Sequence, residues 1–112
     1  MEEIQWSDFT KVKIKVGTII SAEDFPEARN PAFKLQIDFG PDLGVLKSSA
    51  QITRRYKKET LIGKQVVAVV NFPKKQIANM MSECLVIGAV GPDNDVVLLS
   101  PDQKVDNGLP VA

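Results

Sequence analysis

The stretch Lys11-Val12-Lys13-Ile14-Lys15-Val16-Gly17-Thr18-Ile19-Ile20 decides the fold. Val12, Ile14 and Val16 alternate with three lysines, the period of two that places successive side chains on opposite faces of a strand. Gly17 inside this run predicts a bulge or a sharp bend. A long first strand needs such a bend if it is to curl and serve both sheets of a small barrel.

The elements on either side agree with a β-rich chain. Upstream, Trp6 to Phe9 reads as a short helical turn with Ser7 as its candidate N-cap. Downstream, residues 24–31 hold two prolines and several charges and read as a loop. Phe33, Leu35, Ile37 and Phe39 then alternate with Lys34, Gln36 and Asp38, a second strand. Gly40-Pro41-Asp42 is a turn, and Val45 to Ser48 a third strand. Gln51 to Glu59 is the one plausible helix, with Ser49 as candidate N-cap and Ile52 and Tyr56 as its buried stripe. Gln65 to Asn71 is apolar on both sides and predicts a central strand. Cys84 to Val90 makes a fifth strand, Gly91 to Asn94 a turn, and Val96 to Leu99 a further extended piece. The expected fold is therefore all-β with one short helix. It is a five-stranded Greek-key barrel of the OB type over about residues 9–90, with extensions at both ends of a single domain, residues 1–112.

Length and composition narrow the function. The chain has 112 residues, 44% apolar and 25% charged, which is globular composition. It has no histidine, so the usual general base and the commonest metal ligand are both missing. Its one cysteine, Cys84, permits no intrachain disulfide and lies in an apolar run, where a buried small residue is expected rather than a nucleophile. No glycine-rich phosphate loop is present. The expectation is a non-enzymatic protein without metal or cofactor. The acidic opening Met1-Glu2-Glu3 is not a secretion leader, and Val66 to Val70 is far too short to span a bilayer, so a cytoplasmic protein with no membrane insertion is expected.

Net charge is zero, yet the charges are segregated. Residues 1–46 carry five basic and eight acidic side chains, residues 47–75 eight and one, and residues 76–112 one and five. The basic middle holds Arg54, Arg55, Lys57 and Lys58 on the expected helix, with Lys74 and Lys75 in a loop. Phosphate would use such a cluster, and a solvated helix face explains it equally well. Met80 and Met81 cannot both point into one core from an extended segment, so one is free to line a groove for irregular apolar partners.

Phe9 to Ile19, Lys34 to Gly40, Gly63 to Asn71 and Met81-Ser82-Glu83 resemble the tRNA-binding domain appended to methionyl- and phenylalanyl-tRNA synthetases. The resemblance covers about residues 8–112 and implies an OB barrel. Asn30 to Leu35, Ser48 to Thr53 and Val105 to Val111 resemble the stand-alone export chaperones of that family. This implies a homodimer that binds unfolded proteins or preproteins, with the translocation ATPase SecA as a further partner. The alternative is a tRNA-binding module acting in trans. Tellingly, Cys84-Leu85 stand where tRNA-binding members usually carry glycine and methionine. Client or tRNA is expected on the face of Lys34, Gln36, Ser48 and Gln51, with Asn71, Lys74 and Met80 to Ser82 at its rim. The dimer is expected to form from Ile4-Gln5-Trp6 and the apolar tail, Val96 to Val111. The competing expectation is that the tail covers its own barrel.

Overall fold

The computed structural model describes residues 1–112. A short helix, α1 (Trp6–Thr10), precedes the long strand β1 (Ile14–Asp24). Strands β2 (Phe33–Asp38) and β3 (Val45–Ala50) follow, then helix α2 (Lys58–Leu61) and β4 (Gln65–Val69). A small hairpin, β5 (Lys75–Ile77) and β6 (Met80–Ser82), leads to β7 (Leu85–Val86). A second hairpin, β8 (Gly88–Val90) and β9 (Val96–Leu98), and the short β10 (Pro110–Val111) complete the chain. No helix is long and apolar enough to cross a membrane.

The main sheet runs β3-β2-β1-β4-β7, every pair antiparallel. Backbone of Glu83 then returns to Lys47 of β3, its N–H donating to the Lys47 carbonyl at 2.8 Å. The sheet thus curls into a nearly closed barrel of OB type, as the strand order of the sequence predicts. Ile19, Leu35, Ile37, Phe39, Ile52, Leu61, Val66, Ala68 and Leu98 are among the residues of its core.

Gly17 does not supply the bulge. One residue is inserted at Ile20, because Ile19 pairs with Ile37 and Ser21 already with Gln36. Gly17 instead faces the core, where a Cβ would lie 2.6 Å from Ile37 Cγ2 and 2.8 Å from the Phe39 ring. The side of β1 that carries Ile14 and Val16 therefore faces away from the barrel. The tail runs alongside this part of β1 as a further strand: Val16 N–H donates to Leu109 and Gly108 N–H to Val16, and β10 pairs with Ile14 and Lys15. Thr18 Oγ1 anchors the same tail by donating to Asn107 Oδ1 at 2.7 Å. Gly108 has φ +92° and sits where a Cβ would meet the Phe39 carbonyl at 2.6 Å, so only glycine lets the tail lie this close. The tail thus folds back and pairs with its own barrel.

Three other expectations are corrected. Residues 51–57 are turn and irregular chain, and the helix is the four-residue α2. A stripe of only Ile52 and Tyr56 gives a helix little to bury, and the Tyr56 hydroxyl instead accepts the Leu98 N–H at 3.0 Å. Helix α1 starts one residue before Ser7; Asp8 Oδ2 accepts the Gln5 N–H at 2.8 Å. The expected fifth strand is interrupted at Ile87, which separates β7 from β8.

Candidate functional site

Loop 25–32, between β1 and β2, faces the segment Phe72 to Ile77 across an open cleft of about 550 Å³. Ser49, Gln51 and Ser82 to Leu85 line its floor. In an OB barrel these are the loops and the face that take ligands. The two walls are joined by a second small core of Phe25, Ala32 and Met80, with Ala28 and Ile77 packed on it. Alternation along β6 explains the methionine pair: Met80 is buried in this core, and Met81 is 37% exposed. Met80 is therefore packed into the small core that joins the two cleft walls.

The floor is held by side chains where a strand would otherwise pair. Lys47 N–H donates to Glu83 Oε1 at 2.9 Å, and Ser49 N–H to Ser82 Oγ at 3.2 Å. Lys74 Nζ lies 3.5 Å from the other Glu83 oxygen. Phe72 and Leu85 line the cleft and are 55% and 51% exposed.

On the adjoining outer face, Lys34 pairs across from Ser49 and Gln36 from Lys47. Ser48 is not on it. Its neighbours Lys47 and Ser49 point out, so Ser48 points into the barrel and is fully buried. The expected face was thus one residue out of phase on β3. Lys34 Nζ sits 5.5 Å from the Phe25 ring centroid, a cation–π contact. Gln51 and Ser82 line the cleft, whereas Lys34 and Gln36 line a separate depression with Asn79 and Met80. Asn71 does structural work: its Oδ1 accepts Lys13 N–H at 2.9 Å and its Nδ2 donates to Lys11 at 2.7 Å.

The basic cluster is largely consumed by ion pairs. Arg55 grips Asp95 with two hydrogen bonds of 3.0 and 2.8 Å. Arg54 donates to the Asp93 carbonyl at 3.1 Å, and Lys58 Nζ meets Asp24 at 2.8 Å. The Arg55 hydrogen bond holds the Asp95 carboxyl below its ordinary range, and the Asp24 hydrogen bond raises the Lys58 ammonium. Acidic residues from both ends of the sequence thus pair with three residues of its basic middle. Lys57 forms no ion pair, and Lys75 lies apart from these residues, in the cleft.

Cys84 borders the cleft but is buried, and burial, with the Glu83 charge secondary, pushes its thiol up to about 12. Such a thiol is neutral and a poor nucleophile at pH 7. Arg29, Asn30, Phe72, Glu83 and Leu85 are the cleft residues that sequence reasoning missed. The signal for Arg29 and Asn30 was their position in the first long loop, which OB barrels use for binding.

Comparison with known proteins agrees with this architecture. The family model described as "Putative tRNA binding domain" matches residues 14–110. The CsaA chaperone structure from Bacillus anthracis str. Ames is 50% identical with a TM-score of 0.94, covering 99% of this chain and 100% of that one. The CsaA chaperone structure from Picrophilus torridus is 52% identical with a TM-score of 0.92, covering 98% of this chain and 100% of that one. The methionine–tRNA ligase of Methanocaldococcus jannaschii is 31% identical over 111 residues, 99% of this chain and 17% of the ligase. The chain thus spans about one sixth of that curated relative's length. An OB barrel matched along nearly its whole length by this family model, and similar throughout to the CsaA chaperones, belongs to the tRNA-binding-domain family.

Proposed function

We propose that this protein is a non-enzymatic, CsaA-like chaperone that binds apolar segments of unfolded or export-destined proteins in the cleft between loop 25–32 and Phe72 to Ile77. One observation carries the reading. The cleft holds exposed Phe72 and Leu85, while Arg54, Arg55 and Lys58 are engaged with Asp93, Asp95 and Asp24. Apolar burial contributes about 25 cal/mol per Å², independent of client sequence, which suits a binder of many unfolded chains. Similarity to the CsaA chaperones supports the same reading.

The proposal extends to assembly and place. Trp6, Val97, Leu99 and Leu109 stay exposed although the tail is folded back, and a two-fold contact would remove such residues from water on both copies. The proposed state is a cytoplasmic homodimer that presents two clefts to one long client, with SecA as a further partner. A monomer in sedimentation at micromolar concentration would contradict the dimer.

A second reading has its own support. Arg29, Lys34, Lys47 and Lys75 form no ion pair and surround the cleft and the neighbouring face. A trans-acting tRNA binder would use them on phosphates. The experiment that separates the readings titrates a labelled, carboxymethylated protein that cannot refold, and bulk tRNA, in parallel across a salt series. Client binding that persists at high salt, with weak and steeply salt-dependent tRNA binding, supports the chaperone. Tight tRNA binding with no client binding supports the alternative.

A further inference from the structure

Of the five asparagines in the chain, only Asn107 precedes a glycine, Gly108. Glycine puts no side chain beside its backbone nitrogen, so this pair is the one most open to attack of that nitrogen on the asparagine side-chain amide. The fold holds both reacting groups. Gly108 N–H donates to the Val16 carbonyl at 2.7 Å, which retains the proton that the attack must lose. Asn107 Oδ1 accepts Thr18 Oγ1 at 2.7 Å and Gln65 Nε2 at 3.2 Å, which fixes the amide. The backbone here has no slack: a Cβ on Gly108 would lie 2.6 Å from the Phe39 carbonyl oxygen, and one on Gly40 2.8 Å from the Asn107 carbonyl oxygen. The same bonds seat the tail on β1, so lifting the tail frees both reacting groups at once.

We propose that Asn107 is a deamidation site gated by the seated tail, and that the reaction makes release of the tail permanent. With the tail lifted, Gly108 N loses its proton and bonds to Asn107 Cγ. The Cγ–Nδ2 bond breaks, and the side-chain nitrogen leaves as ammonia with that proton. Water then opens the cyclic imide at either carbonyl, giving aspartate or isoaspartate. Isoaspartate adds one carbon to the backbone where Gly40 and Gly108 leave no space for it. Aspartate keeps the backbone but adds a negative charge to a groove already lined by Asp38, Asp102 and Asp106 against Lys64 and Lys104. Without its seat the tail leaves β1 with an unpaired edge at Ile14 to Val16, a template for pairing with other chains.

The test incubates the intact protein at pH 8 and follows the tryptic peptide 105–112 by mass spectrometry, with an isoaspartate-specific carboxyl methyltransferase to count that product. Product at Asn107 should form at least about tenfold faster in urea than in the native protein, because the seated tail must open first. Thr18→Val should speed native formation by about threefold or more, the weight of one hydrogen bond, and Thr18→Ser, which keeps the hydroxyl, should restore the parent rate. In the isolated isoaspartate form, amide exchange at Val16 should be faster than in the parent protein while β2 stays slow. Equal rates in urea and in native buffer would overturn the gating, as would an unchanged rate in a natively folded Thr18→Val protein. If that variant does not fold, the parent protein decides: across sub-denaturing urea its deamidation rate should follow amide exchange at Gly108, and a rate that ignores it would overturn the gating. No product at Asn107 even in urea would overturn the site itself. Parent-like protection of Val16 in the isoaspartate form would overturn the permanent release.

Discussion

A methyl group on Gly17 would fall 2.6 Å from Ile37 Cγ2 and 2.8 Å from the Phe39 ring, both buried in the core of the barrel. Gly17→Ala should therefore destabilise the protein by about 1–3 kcal/mol, the usual cost of overpacking. Urea unfolding measures it, and a loss below about 0.5 kcal/mol would mean that the core yields there. Cys84 gives a second expectation at this scale. Its thiol is held protonated by burial, with a folded value of about 12 against an ordinary 9.0. A raised value stabilises the fold fully below the unfolded value, and that contribution is lost as pH rises from 9.0 towards about 12. Iodoacetamide should leave Cys84 unmodified at pH 8 in native protein and alkylate it in urea; rapid labelling of the native state would contradict the burial. Single residues were legible where polarity alternates. Phe33, Leu35, Ile37 and Phe39 are all buried as their spacing predicts. In β3 the run Lys47-Ser48-Ser49 is polar throughout, so it carries no phase, and Ser48 was assigned to the wrong face.

Residues 51–57 show how an element can be misread. Their polar composition looks like a solvated helix face, yet Arg54 and Arg55 reach Asp93 and Asp95 some 40 positions away in sequence. Asn94 Nδ2 also donates to Gln51 Oε1 at 3.1 Å. No local pattern announces partners so distant, and these bonds replace the helix that sequence reasoning expects. Because Asp95 is held below its ordinary value, its contribution is present above the unfolded carboxylate value and is lost as pH falls through the folded one. Asp95→Asn should accordingly flatten the acid limb of the stability profile. An acid limb identical to that of the parent protein would mean that the clasp contributes nothing. The β5–β6 hairpin escaped notice for another reason. Each strand has three residues, and its turn at Ala78, with φ 49°, lacks the glycine that usually marks one. The tail is likewise held by scattered polar contacts. Asn107→Ala removes the acceptor of Thr18 Oγ1 and should speed amide exchange at Val16 and Gly108, while exchange in β2 stays slow. Unchanged exchange at Val16 would show that the backbone bonds alone suffice.

At the scale of the whole molecule, the barrel was legible because strand number, strand order and one helix-bearing connection limit the choices to few. The candidate cleft was only half legible. Its polar members include residues named from the sequence, Gln51, Lys75 and Ser82, but its apolar members Phe72 and Leu85 come together only through the fold. Some of the segregated charges, which suggested a polarised surface, meet one another instead: Arg54, Arg55 and Lys58 pair with Asp93, Asp95 and Asp24. What remains is a neutral particle with an apolar cleft, and that cleft is the centre of the account. Its most direct test is the affinity of the carboxymethylated unfolded protein for a Phe72→Ser, Leu85→Ser double variant, at a salt concentration that screens surface charge. Burying one large apolar side chain is worth about 1.5–3 kcal/mol, so losing two partly covered ones should weaken binding by about tenfold or more, with circular dichroism unchanged. Client affinity equal to that of the parent protein, in a variant with native circular dichroism, would contradict the account.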